Sequence, residues 1–320
     1  GTNISVYYKN NTAVGSGENK TGVWDSNFKG VWHLHQDPST THCDTYEICD
    51  STSNQNHGNA YNLSSSDWKT GKIDGSLEFG GDTAKDYIEI KQTTSFDAIP
   101  VTVQAWINTS SVEESVIMNA LTGSTSRWTL TMEDVTGGAV ILIAKDNTSS
   151  GELETTNTFN DGKWHSVAAI TNSTAANMKI YVDGSSQTMQ VDADSESWGT
   201  ATTTRPQIGR NPASSSMFFA GFMDEVRVSN VERSADWINQ SYQIVANQST
   251  YVSIGPEVLP NQPPTTPTSI TCNGGSCNIT VDASVILNAS GSTDAEGDAI
   301  TYYIEAALEN TTTVQNTTDV

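Results

Sequence analysis

The chain has 320 residues, and its 37 acidic against 15 basic side chains give a formal net charge of −22. This charge repels phosphate backbones and anionic lipid surfaces, so we expect neither nucleic acid nor a membrane surface as a partner. The length allows one large domain or two smaller ones. No stretch approaches the roughly 18–20 consecutive apolar residues of a membrane span. Gly1-Thr2-Asn3 does not begin a signal peptide, so we expect either a removed leader or a longer precursor.

The four cysteines form two local pairs, Cys43 with Cys49 and Cys272 with Cys277. Two short disulfide loops are the natural pairing in a secreted protein. A zinc site would need four converging ligands, but the two pairs lie far apart in the sequence and no Cys-x-x-Cys occurs.

Thirteen asparagines begin an Asn-x-Ser/Thr sequon, about twice the number expected by chance in so Ser/Thr-rich a chain. The excess favours N-linked glycosylation and therefore an extracellular or cell-surface location. The sequons begin at Asn3, Asn10, Asn19, Asn62, Asn108, Asn147, Asn172, Asn239, Asn247, Asn278, Asn288, Asn310 and Asn316.

Runs of alternating polarity recur along the chain and are separated by turn sequences such as Asp183-Gly184, which predicts an all-β, antiparallel sandwich. One short helix is expected after Ser234 as N-cap, with Trp237, Ile238 and Tyr242 on one face, sealing an edge of the sandwich. The predicted strands lie in residues 4–8, 86–90, 101–107, 128–132, 139–143 and 178–182.

A proline-rich segment divides the sequence. Residues 256–268 hold five of the nine prolines, which indicates an extended linker. Residues 269–320 then begin an immunoglobulin-like β-sandwich, but they supply only about half of the residues that such a domain needs.

Five motifs occur in order within residues 31–255. They are Val31-Trp32-His33-Leu34 with residues 50–58, residues 71–81 with Asp86-Tyr87-Ile88, residues 103–107, Trp164-His165-Ser166-Val167-Ala168 with residues 181–184, and Ile208-Gly209-Arg210 with residues 219–228. Together they resemble a laminin-G-like member of the concanavalin A-like lectin/glucanase superfamily, whose fold is a jelly-roll of two antiparallel sheets. Residues 1–30 resemble the C-terminal remnant of an upstream β domain found in microbial, archaeal-type surface proteins. The C-terminal segment resembles immunoglobulin-like domains of the same proteins.

Catalysis is not expected. Glycanases of this superfamily carry carboxylates in a Glu-x-Asp-x-x-Glu pattern on one strand, because two carboxyl groups must flank the glycosidic bond. The sequence has no such pattern, and Asp224-Glu225 belong to a structural motif of the family. Alternation places His33 and His35 on one strand face, where they could form a two-ligand metal corner, although a structural or solvated role is the favoured interpretation.

Calcium is the ion that the sequence favours, because carboxylates and carbonyls crowd two loops. The resemblance implies Asp82 and Asp224 as ligands, with a capped strand and a turn residue as the alternative. A second candidate is the turn that contains Asp294, Glu296 and Asp298, which an ordinary strand connection explains equally well.

Sugar binding would require an aromatic ring exposed in a loop or groove. Trp198 in Ser197-Trp198-Gly199 is the most loop-like tryptophan, although burial at a core or edge is the expectation for each aromatic residue.

These features favour a non-catalytic, N-glycosylated extracellular structural protein, a segment or subunit of a microbial surface filament or coat. Copies of the chain or other surface proteins would be its partners, since a neighbour's N-terminal strand could complete the partial C-terminal sandwich head to tail. The alternative is a lectin-like, carbohydrate-binding adhesin. A third interpretation is an accessory domain of a larger hydrolase.

Overall fold

The computed structural model describes residues 19, 21–91, 93–97, 99–122, 125–132, 137–145, 150–193 and 206–251, together with residues 265, 271–272, 287–288, 293 and 300. The chain divides into two compact units, Gly1–Val252 and Ser253–Val320. The linker, most of the immunoglobulin-like segment and the N-terminal strand predicted at residues 4–8 lie outside the described residues. They stay predictions.

The first unit is built mainly of β-strands. The strands are β1 Phe28–Trp32, β2 Gly58–Tyr61, β3 Trp68–Thr70, β4 Gly75–Gly80, β5 Tyr87–Ile90, β6 Val101–Asn108, β7 Ser115–Thr122, β8 Thr125–Met132, β9 Ala139–Lys145, β10 Ser150–Thr158, β11 Trp164–Thr171, β12 Lys179–Val182, β13 Ser185–Ser186, β14 Met189–Ala193, β15 Gln207–Ile208 and β16 Ala220–Ser229. The helices are α1 Gly81–Ala84, α2 Ala235–Ala246 and α3 Gln248–Tyr251, with 3-10 turns at Thr21–Val23, Ser65–Asp67 and Ala175–Asn177. In the second unit, β17 Thr271–Cys272 pairs with β18 Leu287–Asn288.

Two antiparallel sheets face each other. Sheet 1 has the order β13-β12-β11-β6-β16-β4-β3, and β1 also pairs with β16. Sheet 2 has the order β14-β10-β9-β8-β7-β15-β5-β2. This architecture confirms the predicted all-β sandwich of two antiparallel sheets and is consistent with a concanavalin A-like jelly-roll.

The core lies between the two sheets, because alternate residues of each strand point inward. In β6, Val103, Ala105 and Ile107 join the core, and their partners across it include Leu130 of β8 and Leu142 of β9. Residues of the other parity point away from the core, so the two outer faces carry the polar and aromatic side chains on which a binding site can be built.

Helix α2 begins where the sequence predicts. The Ser234 hydroxyl accepts a hydrogen bond from the Trp237 amide at 3.2 Å, as an N-cap does. Ile238 is buried against Ala168 and Ile170 of sheet 1, and Tyr242 stacks on the Trp106 ring at 5.7 Å. The helix therefore contacts β13, the edge strand of sheet 1, as predicted, and it also covers part of the outer face of that sheet. The outward Ala168, Ile170 and Trp106 side chains explain the additional cover, since they give that face an apolar surface.

Arg233, in the segment before α2, links that segment to the one before β1. Its guanidinium contacts both carboxylate oxygens of Asp25, at 2.8 and 3.1 Å, and also the Ser229 hydroxyl at 3.2 Å. It lies 4.4 Å from the ring centroid of Phe28 and 4.7 Å from that of Trp237. The planar guanidinium thus serves as an ion-pair partner and as a stacking surface at once.

Candidate functional site

Two tyrosines form an aromatic platform at the edge of sheet 2. Tyr61 of edge strand β2 and Tyr87 of β5 are directly opposite each other in the ladder. Their neighbours Ala60 and Ile88 contact the core, so both tyrosine rings stand on the outer face. The ring centroids are 4.6 Å apart and the ring planes are 2° from parallel. Tyr61 is 38% exposed, and it therefore offers solvent a flat apolar surface held by a second ring.

Arg210 supports the platform from behind. It follows β15, and its guanidinium carbon lies 4.6 Å from the ring centroid of Tyr87 and 5.4 Å from that of Phe218. Burial, as the largest effect, raises the pKa of the Tyr87 hydroxyl. The hydroxyl is therefore neutral near pH 7 and is available as a hydrogen-bond donor and acceptor.

Asn62 fixes the corner that follows Tyr61. It has a positive φ of 61°, and its side-chain amide donates to the carbonyls of Ala84 and Lys85 at 3.2 and 2.8 Å. These carbonyls belong to the turn that leads into β5. The asparagine thus ties the end of β2 to the start of β5, which keeps Tyr61 in register with Tyr87.

A row of polar side chains runs next to the platform across five neighbouring strands, from edge strand β2 towards the middle of sheet 2. Asn59 is opposite Glu89, Glu89 is opposite Gln207, Gln207 is opposite Asn119, and Asn119 is opposite Thr129. Directly opposite Cβ atoms lie about 4.5–5.5 Å apart, so neighbouring side chains of the row can contact one another. Asn59 and Glu89 are half-buried, whereas Gln207, Asn119 and Thr129 are buried.

Several atoms of this row lack a protein partner although they are buried. The Gln207 amide donates to Glu89 Oε2 at 3.3 Å, and the Asn119 amide donates to the Arg210 carbonyl at 2.7 Å. Among the described residues, their amide oxygens and the Thr129 hydroxyl have no hydrogen-bond partner. Buried polar atoms are normally paired, so these atoms are natural partners for ordered water.

The two carboxylates proposed for calcium have separate roles. Asp82 Oδ1 accepts from the Phe218 amide at 3.0 Å, and Asp224 Oδ2 accepts from the Ile73 amide at 2.8 Å. Within the part of the chain that the structure describes, no group of three or more His, Cys, Asp or Glu side chains is arranged to hold a metal ion. The calcium site stays a prediction, and Asp294, Glu296 and Asp298 lie outside the described residues.

Asp224 and Glu225 are buried next to each other on the outer side of sheet 1. Burial raises the pKa of Asp224 to about 7, and the neighbouring Glu225 charge adds to the increase. Burial also acts to raise the pKa of Glu225, but the hydrogen bond from His33 and the charge of Arg227 outweigh it and hold that pKa below its usual value. Both side chains are at most 3% exposed, which agrees with the structural role implied by the resemblance.

Other predicted residues can be placed only in part. Cys43 and Cys49 form the predicted disulfide, whereas Cys277 lies outside the described residues and only the backbone of Cys272 is described. Among the described sequons, Asn19, Asn62, Asn239 and Asn247 are exposed, and Asn108 and Asn172 are half-buried. Only the backbone of Asn288 is described. Trp198, Asn3, Asn10, Asn147, Asn278, Asn310 and Asn316 lie outside the described residues.

Sequence reasoning missed the platform. The sequence places Tyr87 in a predicted strand and in one of the five motifs, and it places Tyr61 in none of them. The signal was present, since Tyr87 and Glu89 alternate with Ile88 and Ile90 and alternation assigns the first pair to the outer face. Only the pairing of β2 with β5 brings Tyr61 to Tyr87.

Comparison with protein families agrees with this architecture. Residues 81–239 match the laminin-G-like family model described as "Concanavalin A-like lectin/glucanases superfamily". The match supports a concanavalin A-like domain in this part of the chain. The strands that precede the match, β1 to β4, pair within sheets 1 and 2. A comparison with curated proteins gives no match.

Several solved structures are similar. One is the binding domain of Paraclostridial Mosquitocidal Protein 1, with 12% identity, a TM-score of 0.48, and coverage of 68% of this chain and 52% of that one. Another is domain 4 of an extracellular arabinanase from Geobacillus stearothermophilus in complex with arabinotriose, with 13% identity, a TM-score of 0.49, and coverage of 68% and 98%. A third is the binding domain of botulinum neurotoxin DC in complex with SialylT, with 10% identity, a TM-score of 0.46, and coverage of 69% and 52%. The chain thus spans about half the length of the toxin domains, and no functional residue is transferred from these structures.

None of the helices that the structure describes is long and apolar enough to cross a lipid bilayer.

Proposed function

We propose that this chain is a non-catalytic, carbohydrate-binding segment of an extracellular glycoprotein, and that it binds glycans at the tyrosine platform of sheet 2. The observation that carries the proposal is the stacked pair of Tyr61 and Tyr87, with Tyr61 exposed at the sheet edge. A pyranose ring has an apolar C–H face and a rim of hydroxyls. The tyrosine ring matches the face, and the half-buried Asn59 and Glu89 beside it supply donors and acceptors for the rim.

The composition of the site favours a neutral glycan. The net charge of −22 disfavours approach of an anionic ligand, and Arg210, the cation behind the platform, is engaged with the Tyr87 and Phe218 rings. Amides, a carboxylate and a phenol bind hydroxyls well. Sialylated or sulfated glycans are therefore expected to bind more weakly than neutral ones.

An extracellular location suits the other features of the chain. A disulfide persists in oxidising compartments, and Cys43–Cys49 is one. The exposed sequons at Asn239 and Asn247 are accessible to attached glycans. The role as a segment or subunit of a surface filament or coat, with self-association through the chain ends, stays a prediction, because both of those segments lie outside the described residues.

The deciding experiment is a glycan array with three forms of the protein, each with calcium and with a chelator. We expect reproducible binding of wild type to neutral oligosaccharides and a loss of about tenfold or more in affinity with Tyr61→Ala, equivalent to about 1.4 kcal/mol. Trp68→Ala is the matched control, because Trp68 is an exposed aromatic residue of sheet 1, 46% accessible. Absence of binding, or an equal loss with Trp68→Ala, would overturn the proposal. Loss of binding with the chelator alone would support the calcium prediction.

A further inference from the structure

Asn108 begins a sequon, and its side chain lies between two aromatic residues on the outer face of sheet 1. Trp164 of β11 is opposite Asn108 of β6, and Asn108 is opposite Phe222 of β16. The neighbouring Ile107 and Met223 belong to the core. Directly opposite residues share a face, so all three members of the row point outward. Each of the three is half-buried, so part of each reaches solvent.

The two rings incline towards Asn108. Neighbouring strands lie about 4.7–4.9 Å apart, so β11 and β16, on either side of β6, are separated by roughly 9–10 Å. The ring centroids of Trp164 and Phe222 are only 6.4 Å apart, with the ring planes at 52°. A group attached to the Asn108 amide therefore leaves the sheet beside both rings.

The Asn108 amide is available for attachment. Among the described residues its side chain makes no hydrogen bond, whereas the Asn62 amide donates to two backbone carbonyls. An N-linked sugar replaces one amide hydrogen, so at Asn108 it breaks no such bond. Ser110, the third residue of the sequon, is exposed. Thr109 between them donates to the Ala220 carbonyl at 2.6 Å, which fastens the attachment point to β16.

The surface beside Asn108 suits a sugar. A pyranose can pack its apolar C–H face on an aromatic ring. The Trp164 indole N–H has no acceptor among the described residues, so it can donate to a sugar oxygen. On the other side of Phe222, Glu78 is directly opposite that ring and pairs with Lys69 at 3.3 Å, each 42% exposed. This ion pair offers an acceptor and a donor to the hydroxyls of a second sugar.

We propose that Asn108 carries an N-linked glycan whose first sugar packs on Trp164 and Phe222 and so stabilises the folded sheet. A tethered sugar has a high effective concentration, so weak stacking is enough and the ring pair needs no affinity for free glycans. The inference rests on the proposal that the chain is a glycoprotein. It is independent of glycan binding at the tyrosine platform of sheet 2.

Glycopeptide mapping of the intact chain from a glycosylating host tests the attachment. We expect sugar at Asn108 and at the exposed Asn239. An unmodified Asn108 with an occupied Asn239 would overturn this inference alone. Absence of sugar at every mapped sequon would overturn it together with the proposal that the chain is a glycoprotein.

Proton NMR tests the packing, on protein whose glycans are trimmed to one N-acetylglucosamine. Ring currents move protons above an aromatic face upfield, so the sugar protons at Asn108 should lie upfield of those in the same glycopeptide after proteolysis. Trp164→Ala should remove most of this shift. Trp68→Ala is the matched control, because Trp68 is an exposed tryptophan of sheet 1 outside the row. If Trp164→Ala does not fold, nuclear Overhauser contacts between the sugar and the Trp164 ring of the wild type decide. Identical shifts in protein and peptide, or an equal loss in both variants, would overturn the packing.

The stabilising effect is tested by removing the sequon without changing the row. Ser110→Ala prevents attachment and keeps Asn108. We expect it to lower the urea midpoint of unfolding when both proteins come from a glycosylating host, and to leave it unchanged when they come from a host that does not glycosylate. An unchanged midpoint in both hosts would contradict packing of the sugar on the folded sheet.

Discussion

The rings of Tyr61 and Tyr87 lie 4.6 Å apart and 2° from parallel. The two residues are directly opposite each other where edge strand β2 pairs with β5 in sheet 2. The inner ring is fixed by Arg210 and the outer ring faces solvent. A ligand that stacks on Tyr61 therefore meets a surface that is already ordered, which lowers the entropic cost of binding.

Tyr61→Phe should retain glycan affinity within about threefold, because the flat ring and the stack on Tyr87 remain. Tyr87→Ala should lower the affinity about tenfold although Tyr61 is intact, because the outer ring loses its support. Calorimetry with one oligosaccharide selected from the array measures both. Equal affinity of wild type and Tyr87→Ala would show that the stack is irrelevant to binding.

Asn62→Ala should lower the free energy of unfolding by about 1–2 kcal/mol, because two backbone carbonyls lose their donor and the positive φ of this residue suits asparagine better than alanine. Asn239→Ala, at an exposed sequon on α2, should change it by less than about 0.5 kcal/mol. Urea unfolding of both variants from a host that does not glycosylate gives the comparison.

The hydrogen bonds of the Asn62 amide also affect whether Asn62 can be glycosylated. An attached glycan removes one of the two amide hydrogens that Asn62 donates. In a glycosylating host, we therefore expect glycopeptide analysis to find Asn239 occupied and Asn62 largely unmodified. High occupancy at Asn62 with unchanged stability would contradict the structural role of its amide.

Asp224→Asn should flatten the pH dependence of stability. The pKa of Asp224 is about 7 in the folded chain against 3.8 as its ordinary value, so the folded state binds the extra proton between these pH values. Wild-type stability therefore decreases as pH rises from about 4 to 7. Relative to Asp224→Asn, wild type should lose on the order of 3 kcal/mol across this range. Parallel urea titrations at pH 4.5 and pH 8 test it, and an equal pH dependence of the two proteins would contradict the assignment.

Arg233→Lys should lower the free energy of unfolding by about 2 kcal/mol, although it keeps the positive charge. Lysine cannot contact both Asp25 oxygens at once, and it cannot present a plane to the Phe28 and Trp237 rings. The control is Lys179→Ala, which removes the exposed ion pair with Glu232 and should cost less than about 1 kcal/mol. Equal destabilisation by the two changes would contradict the role of the planar group.

Local patterns predicted most of the architecture. Alternation located β5, β6, β8, β9 and β12, and the Ser234 cap located the start of α2, because these signals act within a few residues. The platform depends instead on the pairing of β2 with β5. Its members are separated along the chain, and Tyr61 ends a four-residue strand, too short to show a clear period. The Glu225–His33 contact escaped prediction for the same reason, since it joins residues 192 positions apart.

The most direct test of glycan binding at the platform is a ¹⁵N–¹H NMR titration with an oligosaccharide that the array identifies. We predict saturable shifts of the amides of Asn59, Tyr61, Tyr87, Glu89, Gln207 and Arg210, with those around Trp68 and Trp106 of sheet 1 unchanged. Saturable shifts confined to sheet 1, with the platform unaffected, would contradict the assignment of the site.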